Sequence, residues 1–274
     1  MSGITAAAVK AFRDRVGLPM MECKQALIEA AGDEEKAIEV LRKRGAKTMA
    51  GRAGRETSAG RIAVYVAPGA GTMVELQCES APVAVNEQFV ALAEDLARQL
   101  AEGPGADTPE ALLAQPSPGG GAVLQQRFDD LTNRIREVFR LKRIVRIDGT
   151  CAGYAHHNGG VGVLLQYEGG PAELARDICM HVAAMRPGAL GVEDLDPDVV
   201  AKEREILSAA ARQEGKPEPI VAKMVEGRLR NFYAERCLTE QPFVKDDEGR
   251  RVGAVAKAQG MKLLRFVHWE LGKE

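Results

Sequence analysis

The side chains best suited to chemistry in this 274-residue chain are its five cysteines and four histidines. A thiol acts as a nucleophile only in an electropositive, accessible setting, and a structural zinc ion needs four convergent sulfur or nitrogen donors. Cys23, Cys78, Cys151, Cys179 and Cys237 are odd in number, widely spaced and set in apolar stretches, with no Cys-x-x-Cys among them. They read as free buried thiols rather than a disulfide framework. His156, His157, His181 and His268 form no metal-ligand spacing, and no serine, cysteine or carboxylate is joined to any of them by motif. A histidine can serve as a general base near neutral pH, but nothing here gives it a substrate proton to move. The turns Gly69-Ala70-Gly71 and Gly159-Gly160 lack Walker or Rossmann spacing, and each joins two strands instead of opening a helix, so neither is a phosphate cradle. No catalytic residue, metal ligand or cofactor is assigned, which leaves binding.

Bulk charge does not name a partner. The formal net charge is -2, which points neither to nucleic acid nor to an anionic membrane, so any binding face must be local. Hydrophobic residues at 45% and charged residues at 28% suit a folded globular protein. No apolar run approaches the roughly 18 residues of a membrane span, and Met1 to Thr5 leads into an amphipathic pattern without a signal-peptide core. The expectation is a cytoplasmic protein that contacts neither membrane nor nucleic acid directly.

The elements that must present a binding face follow from periodicity. Residues 1–45 read as three helices. Thr5 caps the first, which carries Val9, Phe12 and Val16 inward and ends at Gly17; Pro19 opens the second, with Cys23, Leu27 and Ala30 inside. Gly32-Asp33 starts the third, which ends on Arg42-Lys43-Arg44 and stops at Gly45. Residues 46–58 read as a polar, partly helical connector.

The centre holds an internal repeat at a shift of 89 positions: Gly60, Tyr65, Gly71, Val74, Leu76, Gln77 and Glu79 fall on Gly149, Tyr154, Gly160, Val163, Leu165, Gln166 and Glu168. Each copy is a strand hairpin followed by a helix. The predicted subdomains are 59–140 and 141–194 with 235–274, with Ile144 to Ile147 a strand leading into the second copy. Ala101 to Gly120 contains eight Gly or Pro residues and reads as a flexible surface connection. Residues 195–234 read as an antiparallel helical hairpin, capped by Asp196-Pro197, broken at Gly215-Lys216-Pro217 and projecting from the body. The fold class is α+β: a three-helix domain, a duplicated core with antiparallel strands, and a projecting antiparallel helical hairpin.

The stretch from Phe12 to Leu27, FRDRVGLPMMECKQAL, resembles the amino-terminal signature of elongation factor Ts. The likeness continues at Gly32-Asp33, Arg42 to Gly45, Cys78 to Ala84, His181 to Ala184, Lys223 to Arg228 and Gln241 to Val244, in the family's order. It implies a ubiquitin-associated-like helical domain, two related α+β subdomains and a coiled coil. It also implies a guanine-nucleotide exchange factor that binds elongation factor Tu carrying GDP, loosens the nucleotide and its magnesium, and lets GTP enter. The partner is engaged in GDP-bound and nucleotide-free forms, in a complex that could include a homodimer or be two-to-two. Such a factor is not an enzyme and needs no cofactor. The competing reading is an adaptor whose helical domain binds some other protein over a scaffold core.

The resemblance also implies contact residues. Lys10, Arg13, Met20 and Met21 match positions that touch the partner's GTPase domain, although on composition alone Lys and Arg suit a solvated face and Met a core. Adjacent methionines at a helix start cannot both point inward, so one is expected outside. Ser80-Ala81-Pro82-Val83 occupies a loop that in many members reads Thr-Asp-Phe-Val; here neither the carboxylate nor the aromatic wedge is present, and the plain alternative is a tight turn stiffened by Pro82. Ile135 matches a further contact position, followed by Arg136 where the family has glycine, and a helix core residue is the equal alternative. A contact histidine belongs in the turn of the second copy: counting from Tyr154 selects His156, the preferred residue, and counting back from Gly162 selects His157.

Overall fold

A computed structural model describes residues 4–214 and 217–273. The chain is mixed α and β, with eleven α-helices and two antiparallel three-stranded sheets among the described residues.

The amino-terminal helices are α1 (Ala6–Val16), α2 (Met20–Glu29) and α3 (Glu34–Ala50). Their caps follow the sequence signals: Thr5 Oγ1 accepts from the Ala8 N–H, Gly17 ends α1 in the left-handed region at φ 71°, and Asp33 accepts from the Lys36 N–H. Val9, Phe12, Cys23, Ala26, Leu27, Ala37 and Leu41 form a small core of their own. The expected stop at Gly45 does not occur, because α3 runs five residues further to Ala50. Gly45 serves a different purpose: a Cβ there would lie 2.2 Å from Asn133 Oδ1 on α7 (Leu124–Ile135), so its lack of a side chain lets two helices cross closely. A glycine after a basic cluster looks like a terminator in sequence, and only the neighbouring helix reveals the packing role.

The repeat folds as two hairpins. β1 (Ala59–Ala67) pairs with β2 (Ala70–Cys78), and β4 (Cys151–Ala155) pairs with β5 (Val161–Glu168). Each is followed by a covering helix, α5 (Glu87–Glu102) after the first and α8 (Ala172–Met185) after the second. The strand β3 (Arg140–Asp148), expected to lead into the second copy, instead pairs with β2 and completes the first sheet. The second sheet takes its third strand, β6 (Lys262–Glu270), from the carboxy-terminal end. Strand partners are chosen by long-range packing, which local alternation cannot express.

The sheets lie face to face between two helical layers. Val74, Leu76, Cys78 and Leu141 pack under α5 and α7; Val163, Leu165 and Tyr167 pack under α8. Ile62, Met73 and Ile147 of the first sheet meet Cys151 and Leu164 of the second. A Cβ at Gly162 would stand 2.4 Å from Ile62 Cγ2, so this glycine sets how closely the sheets approach. Glu75, only 1% exposed, accepts from Arg143 Nε at 2.7 Å and from Gln77 Nε2 at 2.7 Å, and Arg143 stacks on the Trp269 ring at 4.4 Å. That paired buried charge ties the first sheet to the last strand.

The glycine- and proline-rich connection is less open than expected. It contains α6 (Pro109–Leu113), capped by Thr108, whose Leu112 and Leu113 are buried in the first core. The helix start signal Thr108-Pro109-Glu110 was masked by the surrounding breakers. The hairpin comprises α9 (Pro197–Gln213) and α10 (Glu218–Arg236), with Ala211, Val221, Val225 and Leu229 buried between them. Ion pairs cross it from Arg204 to Glu226, Arg212 to Glu218 and Arg228 to Glu214. Gly215 and Lys216, where the break was expected, lie outside the described residues.

Candidate partner-binding surface

On α1 the buried residues Val9 and Phe12 leave Lys10 and Arg13 facing solvent, with Arg13 3.7 Å from Asp14. At the start of α2 the inner positions are Cys23, Ala26 and Leu27. Both methionines fall outside that stripe, Met20 at 40% and Met21 at 61% exposure. Only one was expected outside. Two adjacent exposed methionines form a pliable apolar corner at the start of α2, which also exposes Ile28 further along.

The loop after β2 is a single helical turn whose N-cap side chain makes no bond to the turn itself. Ser80 is its N-cap, and Ala81–Ala84 form the short helix α4. Glu137 accepts from the Ser80 N–H at 3.0 Å and from Ser80 Oγ at 2.5 Å, so one carboxylate takes both donors of the cap residue. Ala81 and Pro82 are exposed, Val83 is half-buried against the first core, and Ala84 is buried. Next door, Glu79 accepts from the Val138 N–H at 2.8 Å and pairs with Arg55 at 3.0 Å; the Val138 N–H first, and Arg55 after it, hold its carboxyl below the usual range. Glu137 thus holds the first residue of the turn, and Pro82 fixes one backbone angle within it.

Ile135 is the last residue of α7 and rests half-buried on the first core. Arg136 then takes the left-handed C-cap position at φ 67°, its side chain pairing with Glu22 of α2 and its carbonyl accepting from Arg52 Nη1 at 2.6 Å. Two of these consecutive residues therefore reach other candidate segments from the end of α7. Ile135 is a candidate contact, Arg136 reaches Glu22 beside Met21 across 114 positions, and Glu137 reaches Ser80 across 57. Glu22 and Glu137 were not singled out in the sequence, because nothing near either position encodes partners so distant.

His156 lies in the turn between β4 and β5, its N–H donating to the Val161 carbonyl at 2.9 Å. Its Nδ1 is 2.9 Å from the Tyr154 hydroxyl and the residue is half-buried, while His157 is exposed with its ring 4.3 Å away. The turn packs on β1: the Gly159 carbonyl accepts from the Ile62 N–H at 2.8 Å. Ile62 is three residues along β1 from Ala59, the partner of Cys78. At about 3.3 Å per residue the histidine turn thus lies roughly 10 Å along the strand from the end that feeds the Ser80 loop.

Burial pushes the Cys78 and Cys237 thiols up to about 11 and the Cys179 thiol up to about 12, which keeps them protonated and inert. His181 is buried, with Nδ1 accepting from the Val244 N–H at 3.3 Å and Nε2 2.9 Å from Gln241 Oε1. That arrangement suits a neutral ring protonated on Nε2, and burial lowers its pKa in the same sense. Two of the stretches that carried the resemblance, His181 to Ala184 and Gln241 to Val244, meet here to hold the second core together. No described helix is long and apolar enough to cross a membrane.

Comparison with known proteins places these features in context. The family model described as Elongation factor TS matches residues 82–273. A protein of Corynebacterium urealyticum named Elongation factor Ts is 41% identical, covering 100% of this chain and 100% of its own length. Proteins of the same name from Methylococcus capsulatus and Thioalkalivibrio sulfidiphilus are 42% and 40% identical, each covering 98% of this chain and 92% of their own length.

Proposed function

This chain belongs to the elongation factor Ts family, and from that membership we propose that it is a guanine-nucleotide exchange factor for elongation factor Tu. It grips the GDP-bound GTPase, loosens GDP and magnesium, and holds the nucleotide-free form until GTP binds. It acts through contact and not through catalytic chemistry of its own, in the cytoplasm where translation elongation runs.

What supports this reading, beside the family membership, is that Arg136 and Glu137 tie the start of α2 and the Ser80 loop to the end of α7, with the His156 turn packed on the same first sheet. Met20 and Met21 supply apolar surface, Lys10 and Arg13 supply charge, Ser80 to Val83 supply a stiff turn, and Ile135 and the His156 turn complete the face. Residues 1–45, with their ubiquitin-associated-like arrangement of helices, grip first. The loop then presses on the nucleotide site by shape, since Ala81 and Pro82 bring neither a carboxylate nor an aromatic ring. In the histidine turn His157 offers the exposed ring and His156 the braced one. The coiled-coil hairpin carries exposed Val199, Ile206 and Ile220, where a second copy would pack in a two-to-two complex.

Linkage supplies the energetics. If the factor lowers the GTPase's affinity for GDP by some ratio, GDP lowers its affinity for the factor by the same ratio. Binding energy at this face is therefore what opens the nucleotide site. The test is titration into elongation factor Tu loaded with fluorescent GDP. Accelerated release that saturates with factor concentration is expected; binding without acceleration would make the chain an adaptor and overturn the proposal.

A further inference from the structure

We propose that Arg136 and Glu137 form a bracket that sets the methionine corner and the Ser80 loop at a fixed spacing, making both positioning residues for the partner contact. The inference rests on the contact roles proposed above for Met20, Met21 and the loop.

Arg136 stands at φ 67°, a left-handed conformation in which a Cβ is disfavoured and glycine is the usual occupant. A long side chain at such a position costs backbone energy and brings a reach that glycine lacks. Here the reach ends on Glu22, one residue from Met21. The Arg136 carbonyl, turned outward by the left-handed cap, takes a second tie from Arg52 at 2.6 Å. Glu137 points the other way and holds both donors of Ser80. The amino-terminal domain has its own core, and α3 and α7 form the close crossing that joins it to the body, with Arg42 bound to both carboxylate oxygens of Asp130 at 3.1 and 3.0 Å. Beyond that crossing, Gly17, three residues before Met20, lies against the Arg134 side chain of α7, an uncharged approach that among the described residues leaves the start of α2 without an ion pair of its own to the body apart from Glu22. The Arg136 to Glu22 tie acts at the methionine corner.

The bracket does not touch the partner's nucleotide, so its loss should weaken docking while leaving the maximal rate of release unchanged. Loss of one exposed ion pair should raise the half-maximal factor concentration roughly two- to fivefold. The test measures labelled GDP release from elongation factor Tu over a range of factor concentrations, together with thermal melting, for Arg136→Gly, Arg136→Glu, Glu22→Arg, the Glu22→Arg/Arg136→Glu pair, Glu137→Ala and the Met20→Ala/Met21→Ala pair. Arg136→Gly is the decisive variant because it relieves the backbone while removing the tie. Its Tm should stay the same or rise, its half-maximal concentration should rise, and its maximal rate should hold. The reversed pair should recover most of what either single reversal loses. Glu137→Ala should raise the half-maximal concentration as well. If Arg136→Gly matched the parent curve while the methionine pair failed, the bracket would be wrong and the contact reading would stand. If the methionine pair matched the parent curve, the bracket would have no contact to position and both would fall.

Discussion

Replacing Met20 and Met21 together by alanine tests the contact face without touching the fold. The two residues are 40% and 61% exposed, so they jointly present about the apolar surface of one whole methionine side chain. Burying that much against a partner contributes about 2 kcal/mol, which corresponds to about thirtyfold in affinity at 25 °C. Both side chains lie outside the buried stripe of Cys23, Ala26 and Leu27, so the fold should be kept, while the part of each that the free protein already covers should lower the melting temperature modestly. Stopped-flow release of labelled GDP from elongation factor Tu, followed at increasing concentrations of the factor, reads the change directly. The half-maximal concentration should rise by about thirtyfold, with circular dichroism unaltered and melting still cooperative. A shift smaller than threefold would show that this corner stays in water in the complex, and the argument from exposed apolar surface would fail.

Other perturbations address the remaining parts. Pro82→Gly removes the stiffness of the α4 turn and should slow GDP release severalfold more than Ala81→Gly does; equal effects would deny the loop a mechanical role. His181 has a folded-state pKa below its unfolded value because it is buried, so it contributes stability that is present above about pH 6.5 and is lost as pH falls through the folded value. His268, also lowered by burial, adds in the same direction. Tm should therefore fall between pH 7 and pH 5, and His181→Gln should show a shallower fall; an unchanged slope would remove His181 as a cause. Excising the hairpin between Asp196 and Ala234 behind a short linker should leave the body folded, since Gly188 and Ala189 still donate to the Arg236 carbonyl and Cys237 remains buried. Loss of cooperative melting would show that the hairpin belongs to the core.

Local signals in the chain carried much of this architecture. Thr5, Gly17, Asp33 and Asp196 act where a cap must, because a cap is satisfied within four residues of itself. The hairpins of the repeat were legible for the same reason: alternation and turn residues act between neighbours. Tertiary structure decided what depends on distant partners. It assigned β3 to the first sheet, turned Gly45 from a stop into a helix crossing against Asn133, and buried Leu112 and Leu113 in a stretch that reads as a loop. It also made Arg136 and Glu137 the link between Glu22 and Ser80. These roles are set by which surfaces meet once the core has closed, and a side chain 57 or 114 positions away leaves no mark on the local pattern.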